Sequence, residues 1–262
     1  MSLALLLLSC IAAIPEVFEP YVRLDGETYD SFDLAFQDAR SGSTIEFCGT
    51  RVGPFVRTES VDELSIEGCD RDAAVLDGND VGTILTLPVN VLSLTAMTLT
   101  RGRASTEWVY VPGGGEDGEE THDLLYHPAV AGRVQERLQL RSVRLSESSS
   151  AADNSKSVHV VMATTEFADG QVTVEGEDGI IEGNFVHSGD SFPAACVFYA
   201  EEAGSNLHLR NFDWGPADDG SAEGRYDVCG TTGDGGFGEW DLTGKTDVDC
   251  TYEDGCHFDG DG

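Results

Sequence analysis

Six acidic residues near the C-terminus have the types and spacing for hard-cation chemistry. Asp247-Val-Asp249, Glu253-Asp254-Gly255 and Asp259-Gly-Asp261 offer carboxylate oxygens at short intervals, the donors that calcium takes. An EF-hand loop is not formed, because Tyr252 stands where that loop requires glycine. A calcium cofactor and a plain solvated acidic tail both fit this pattern. Aromatic rings suggest a second chemistry. Trp108 and Tyr110 precede the run Gly113-Gly-Gly-Glu-Asp-Gly-Glu-Glu120, and ring faces in such surroundings can stack on a sugar. They can equally anchor a loop by packing. His187-Ser188-Gly189-Asp190 holds the residue types of a nucleophilic triad, but adjacency in sequence does not make triad geometry. No Gly-x-Ser-x-Gly elbow accompanies it.

The cysteines point to an oxidising compartment. Cys10 follows the apolar run Leu3–Leu8 and Ser9, an arrangement suited to an export signal. Leu7-Leu8-Ser9-Cys10 resembles the lipobox of bacterial lipoproteins. That resemblance implies lipidation of Cys10, and an ordinary secretory signal or a buried N-terminal strand are its alternatives. Setting Cys10 aside leaves Cys48, Cys69, Cys196, Cys229, Cys250 and Cys256, an even set suited to disulfides. Pairing nearest neighbours joins Cys48 to Cys69, Cys196 to Cys229 and Cys250 to Cys256, one of about 15 possible connectivities. No Cys-x-x-Cys pair is present and the histidines are scattered, which leaves zinc without a ligand set.

These groups need elements to hold them. Phe32, Ala35, Phe36 and Ala39 fall at helical spacing, so a helix is expected over 31–40, started by Asp30 or Ser31 and ended by Gly42. So short a helix needs an apolar surface to cover, and the open end of a stack of β-coils is one. From Ser43 onward apolar residues alternate: Ile45 with Phe47, Leu64 with Ile66, Leu92 with Leu94, Leu138 with Leu140, and later runs at Val172–Val174 and Leu207–Leu209. They recur at roughly 20–28 residues, a period that suits stacked coils. A β-sandwich gives similar short strands and is the structural rival. Residues 11–28 read as a linker and 104–132 as an inserted loop. Residues 146–157 read as a polar loop, and 216–262 as a loop-rich acidic end held by disulfides.

Composition limits the partners. The chain has 262 residues, with 48 acids against 15 bases and a formal charge of -33. Residues 157–262 alone hold 23 acids and three bases. Such a surface repels nucleic acid and anionic lipid. No run of ~20 apolar residues is present to span a membrane, so a lipid at Cys10 is the expected membrane contact.

Tyr29–Gly102 resembles the N-terminal part of secreted right-handed parallel β-helix proteins of the pectin-lyase-like superfamily. The residues that carry the likeness are the helix Phe32–Ala39, Gly42, the strand ending Cys48-Gly49-Thr50, then Leu64-Ser-Ile-Glu-Gly68, Val75-Leu-Asp-Gly78 and Leu94–Gly102. The resemblance implies an all-β solenoid over 29–215 with an N-terminal capping helix, exported to a bacterial cell envelope. Its enzymes carry motifs that are missing here. The Asp218-Asp219 pair sits in a turn-like run without a Gly-His-Gly, Gln37-Asp38 falls inside the helix, and Arg141, Arg144 and Arg210 have no acids fixed beside them by sequence. The expected function is therefore a non-catalytic exported scaffold for binding or adhesion to a polysaccharide or envelope component. The alternative is a polysaccharide lyase or glycoside hydrolase.

Overall fold

The computed structural model describes residues 18–111, 121–127, 129–151, 159–161, 173–182, 186–187, 195–200, 205–213, 225–230, 237–243, 247–250 and 256–259. Side chains are described for 18–105, 127, 129–148, 173–181 and 207–213. The fold is all-β with one short helix. β1 (Tyr21–Leu24) and β2 (Glu27–Thr28) lead into α1 (Phe32–Asp38). The chain then runs through β3 (Ser43–Val52), β4 (Phe55–Val56), β5 (Val61–Gly68), β6 (Ala74–Asp77), β7 (Leu85–Thr95) and β8 (Thr98–Thr100). Next come β9 (Arg103–Val111), β10 (Thr121–His127), β11 (Ala131–Arg141), β12 (Arg144–Ser146), β13 (Ser149–Ala151) and β14 (His159–Val161). They are followed by β15 (Thr173–Glu177), β16 (Ile180–Glu182), β17 (Val186–His187), β18 (Ala195–Ala200) and β19 (Ser205–Arg210). The C-terminal strands are β20 (Arg225–Gly230), β21 (Phe237–Thr243), β22 (Asp247–Cys250) and β23 (Cys256–Asp259).

The largest sheet is mostly parallel and curls into a half-barrel. One arm runs β3-β5-β7-β11-β15-β19-β21 and the other β3-β6-β8-β12-β16. β3 belongs to both. Its first half pairs with β5, and after Gly49 its second half pairs with β6. Gly49 has φ +86, and a Cβ there would stand 3.2 Å from the Pro20 Cβ. The bend therefore needs a residue that reaches positive φ without a side chain.

Parallel register turns the apolar alternation into stacked columns. Ile45, Ile66, Leu94 and Leu140 lie in line across β3, β5, β7 and β11, and Leu64, Leu92, Leu138, Val174 and Leu207 form the adjacent column. On the second arm Leu76, Leu99, Leu145 and Ile181 stack likewise. All belong to one buried core. Each such side chain removed from water contributes about 1.5–3 kcal/mol.

One gap interrupts the first column. Gly176 occupies the position next to Leu140 and Leu209. A Cβ there would meet the Phe212 ring at 2.5 Å, and one on Gly179 would meet it at 2.3 Å. The Phe212 ring thus fills the space that both glycines leave.

The two arms meet at a tight corner. Ala96, Ser142, Asp178 and Asn211 each follow the last residue of β7, β11, β15 and β19, and each has φ between 50° and 56°. Their amides bond down the stack, Ala96 to the Arg141 carbonyl at 2.9 Å and Ser142 to that of Glu177 at 2.8 Å.

Helix α1 is capped by Ser31, whose Oγ accepts from the Leu34 amide at 3.2 Å. It ends at Asp38 with an extended Ala39 rather than at Gly42, which has φ +81 in the turn before β3. The last turn holds no basic residue of its own. Arg57, only 6% exposed, supplies one from β4's flank: its Nη1 donates to the carbonyls of Phe36 at 2.9 Å and Ala39 at 2.6 Å. Phe32 and Phe36 bury their rings against Phe55, and Phe32 also meets Phe47 edge-on.

Several stretches read as irregular are strands instead. Within the 11–28 linker, β1 pairs antiparallel with β3 and with β2. Residues 104–132, expected as a loop, contain the antiparallel ribbon β9–β10, with Trp108 opposite Leu124 and Tyr110 opposite His122. The polar stretch 146–157 contains β13, which pairs in parallel with β9 and β17. The described parts of 216–262 are strands β20 to β23. Serine, glycine and acid content suggested loops there, but pairing to a neighbouring strand overrides such weak local preferences.

Candidate functional site

Period-two alternation that buries one set of residues presents the other set outward. On the outer face of the first arm this creates two polar columns. Thr44, Ser65, Ser93, Gln139, Glu175 and His208 lie in register from β3 to β19, and so do Glu46, Glu67, Thr95, Arg141, Glu177 and Arg210. The residues from Ser65 and Glu67 onward line a groove of about 610 Å³. Ser65, Ser93, Gln139, Glu175 and His208 are half-buried and make its floor, while Glu67, Arg141, Glu177 and Arg210 are exposed along its rim.

A hydrogen-bonded ladder crosses the floor from strand to strand. Ser93 Oγ donates to Gln139 Oε1 at 2.6 Å, and Gln139 Nε2 donates to Glu175 Oε2 at 3.0 Å. Arg137 Nε stands 3.8 Å from Glu175 Oε1, and Arg141 Nε 4.0 Å from Glu177 Oε2. The second pair is largely exposed, 71% and 54%, so solvent screens it and a ligand could replace either partner at small cost. The groove lining carries Glu67, Glu175 and Glu177 against Arg141, Arg210 and His208. It is close to balanced in a protein of charge -33.

The structure corrects one expectation about the arginines. Spacing along the chain puts no acids beside Arg141 or Arg144, yet Arg141 pairs with Glu177 and Arg144 Nη1 stands 2.5 Å from Asp72 Oδ1. The groove itself escaped the sequence reading. Its signal lies in aligning the apolar triplets: Leu64-Ser-Ile-Glu, Leu92-Ser-Leu-Thr, Leu138-Gln-Leu-Arg, Val174-Glu-Gly-Glu and Leu207-His-Leu-Arg expose the polar columns at once.

A second polar cluster lies on the other arm. Asp77, at 9% side-chain exposure, is held by Arg101, whose Nε donates to its Oδ1 at 2.9 Å, and accepts the Asn79 amide at 2.9 Å. The hydrogen bond and charge of Asp77 hold the Arg101 guanidinium above its usual pKa. Arg51 lies below its usual value because burial disfavours its charge. The Asp77 contacts hold the turn after β6.

Among the expected sites, Cys48 and Cys69 form a disulfide across a sequence separation of 21. Cys250 and Cys256 are register partners in the β22–β23 ribbon, and Cys196 and Cys229 lie on the neighbouring strands β18 and β20. The side chains of these four are outside the described residues, as are those of Trp108, Tyr110, Asp247, Asp249 and Asp259. Cys10, Glu253, Asp254 and Asp261 lie wholly outside them. Among the described residues no group of three or more His, Cys, Asp or Glu is placed to hold a metal, and no helix is long and apolar enough to cross a membrane. Comparison with known proteins adds no kinship: the chain matches no family model, no curated protein and no solved structure.

Proposed function

We propose that this chain is an exported scaffold, a right-handed parallel β-helix of the pectin-lyase-like type capped by α1, that binds a polysaccharide along its outer groove without cleaving it. The in-register columns support the solenoid, since each strand of the first arm repeats the inward and outward pattern of the one before it. Right-handed crossover is the rule for such parallel connections. The leading apolar run and Cys10 support export with a lipid anchor at the cell envelope.

The observation that carries the binding reading is the groove: hydroxyl, amide, carboxylate and guanidinium groups from five successive strands line one trough. Hydrogen-bonding groups in a row suit a polyhydroxylated chain better than an apolar ligand. Glu175, engaged by Gln139 and Arg137, favours binding over catalysis. Calorimetric titration of purified protein with a panel of neutral and charged oligosaccharides tests this. Binding that Gln139→Ala weakens about tenfold supports the groove, and a panel with no binder rejects it.

A specific observation keeps the enzymatic reading in view: Glu67, Glu175 and Glu177 line the same groove as Arg141 and Arg210. A lyase or hydrolase would release new chain ends from polysaccharide, with or without added calcium. Turnover that Arg141→Gln abolishes would replace the binding reading with this one.

A further inference from the structure

The charge pattern along the groove names a ligand class, an inference that rests on the groove being the binding site. Glu67 marks one end. Its register neighbours are Glu46 on β3 and Thr95 on β7, with no base on either strand at that position; Arg23 stands across Glu46 on the far side, on β1. Two carboxylates side by side on one face repel each other, and a cation laid between them relieves that repulsion. The next strand, β7, presents only the uncharged Ser93 and Thr95. From β11 to β19 the groove presents Arg141, His208 and Arg210 beside Glu175 and Glu177. A guanidinium takes a carboxylate in a planar two-bond grip, and the loose Arg141–Glu177 pair yields to one readily.

The whole molecule imposes a second condition. Its charge of -33 opposes the approach of a ligand with strong net negative charge. A polyanion would satisfy the arginine end and violate both the field and Glu67. A polycation would satisfy the field and violate the arginine end. A ligand that carries both signs satisfies all three.

We propose that the groove selects a dipolar saccharide, whose repeat bears a free amine for Glu67 and a carboxylate for Arg141. These residues are two strand spacings apart, on β5 and β11, so the two charges of the ligand stand about 10 Å apart.

The test compares three oligosaccharides of equal length at physiological ionic strength, where fields beyond about 8 Å are largely screened. One alternates free-amine hexosamine with uronate, the second is its N-acetylated form, and the third is an oligouronate. The free-amine form is expected to bind at least threefold more tightly than its acetylated twin. Glu67→Gln removes that preference. Glu63→Gln, the same charge change on β5 at a residue off the groove lining, retains it. Arg141→Gln weakens both the free-amine repeat and its acetylated twin. Equal binding of the twins, tighter binding of the oligouronate, or loss of preference in Glu63→Gln overturns the dipolar ligand while leaving the groove in place. Failure of all three to bind, in protein shown to be folded by its circular dichroism and melting, rejects the groove reading itself and this inference with it.

Discussion

Exchanging Gly176 and Phe212 for leucine and alanine would reveal whether the stacked columns hold the fold. Phe212 is 6% exposed, and its ring occupies the space beside Gly176 and Gly179. Phe212→Ala should cost about 3–5 kcal/mol, the usual loss for a buried aromatic that leaves a cavity. Gly176→Leu alone should cost about 1–3 kcal/mol, because its Cβ would start 2.5 Å from the ring. Only space forbids a side chain there, since Gly176 does not adopt positive φ. Combined, the changes should compensate. The leucine introduced in place of Gly176 would enter the hole vacated by the ring and continue the line from Leu94 and Leu140 to Leu209. The flexible end of Leu209, 2.6 Å from where the new Cβ would stand, can turn aside. The double variant should therefore be about 1–3 kcal/mol more stable than the sum of the single losses predicts. Urea denaturation of the wild type, both single variants and the double variant measures this coupling. Losses that add within about 0.5 kcal/mol would refute the shared space.

Four further perturbations probe other parts of the fold. Cys48→Ala with Cys69→Ala, or reduction of the native protein, should lower stability by about 3 kcal/mol for a loop of this size, and an unchanged urea midpoint would deny the bridge a stabilising role. Arg57→Met keeps the length of the side chain but removes its bonds to the Phe36, Ala39 and Glu59 carbonyls, so a loss of about 3 kcal/mol is expected. Glu59→Ala, whose side chain is 84% exposed, should change stability by less than about 1 kcal/mol, and equal losses in the two variants would contradict the capping role of Arg57. Ala96→Gly should raise stability by about 0.5 kcal/mol, as relief of left-handed strain outweighs the added chain entropy; a drop in melting temperature would contradict it.

Alternation made the inner half of the first arm legible. Ile45, Leu64, Ile66, Leu92, Leu94, Leu138 and Leu140 are all buried, as are Phe32, Ala35, Phe36 and Ala39, because burial is the property that hydrophobic periodicity encodes. Cys48 and Cys69 are neighbours among the cysteines in sequence, and parallel pairing of β3 with β5, in register through Phe47 and Gly68, brings them side by side. The outward half was harder to see. Serine, glutamine, glutamate and histidine follow no pattern along one strand, and they form columns only once neighbouring strands are set in register. The Gly176 gap was illegible for the same reason: its filler, Phe212, comes from the next strand's corner. Strands β1, β10 and β13 were missed because pairing to neighbouring strands stabilised segments whose own composition suggested loops.

The corners after β7, β11 and β15 fix where the polypeptide tolerates changes in length. Leu94 and Leu99, Leu140 and Leu145, and Gly176 and Ile181 are separated by the same number of residues, with a single left-handed residue at every bend. An insertion there would throw each following side chain onto the opposite face. The connections back from the second arm to the first differ widely, as from Leu99 to Leu138 and from Ile181 to Leu207. Foreign peptides, affinity tags or new recognition segments therefore belong on that returning side, where the connections already differ in length.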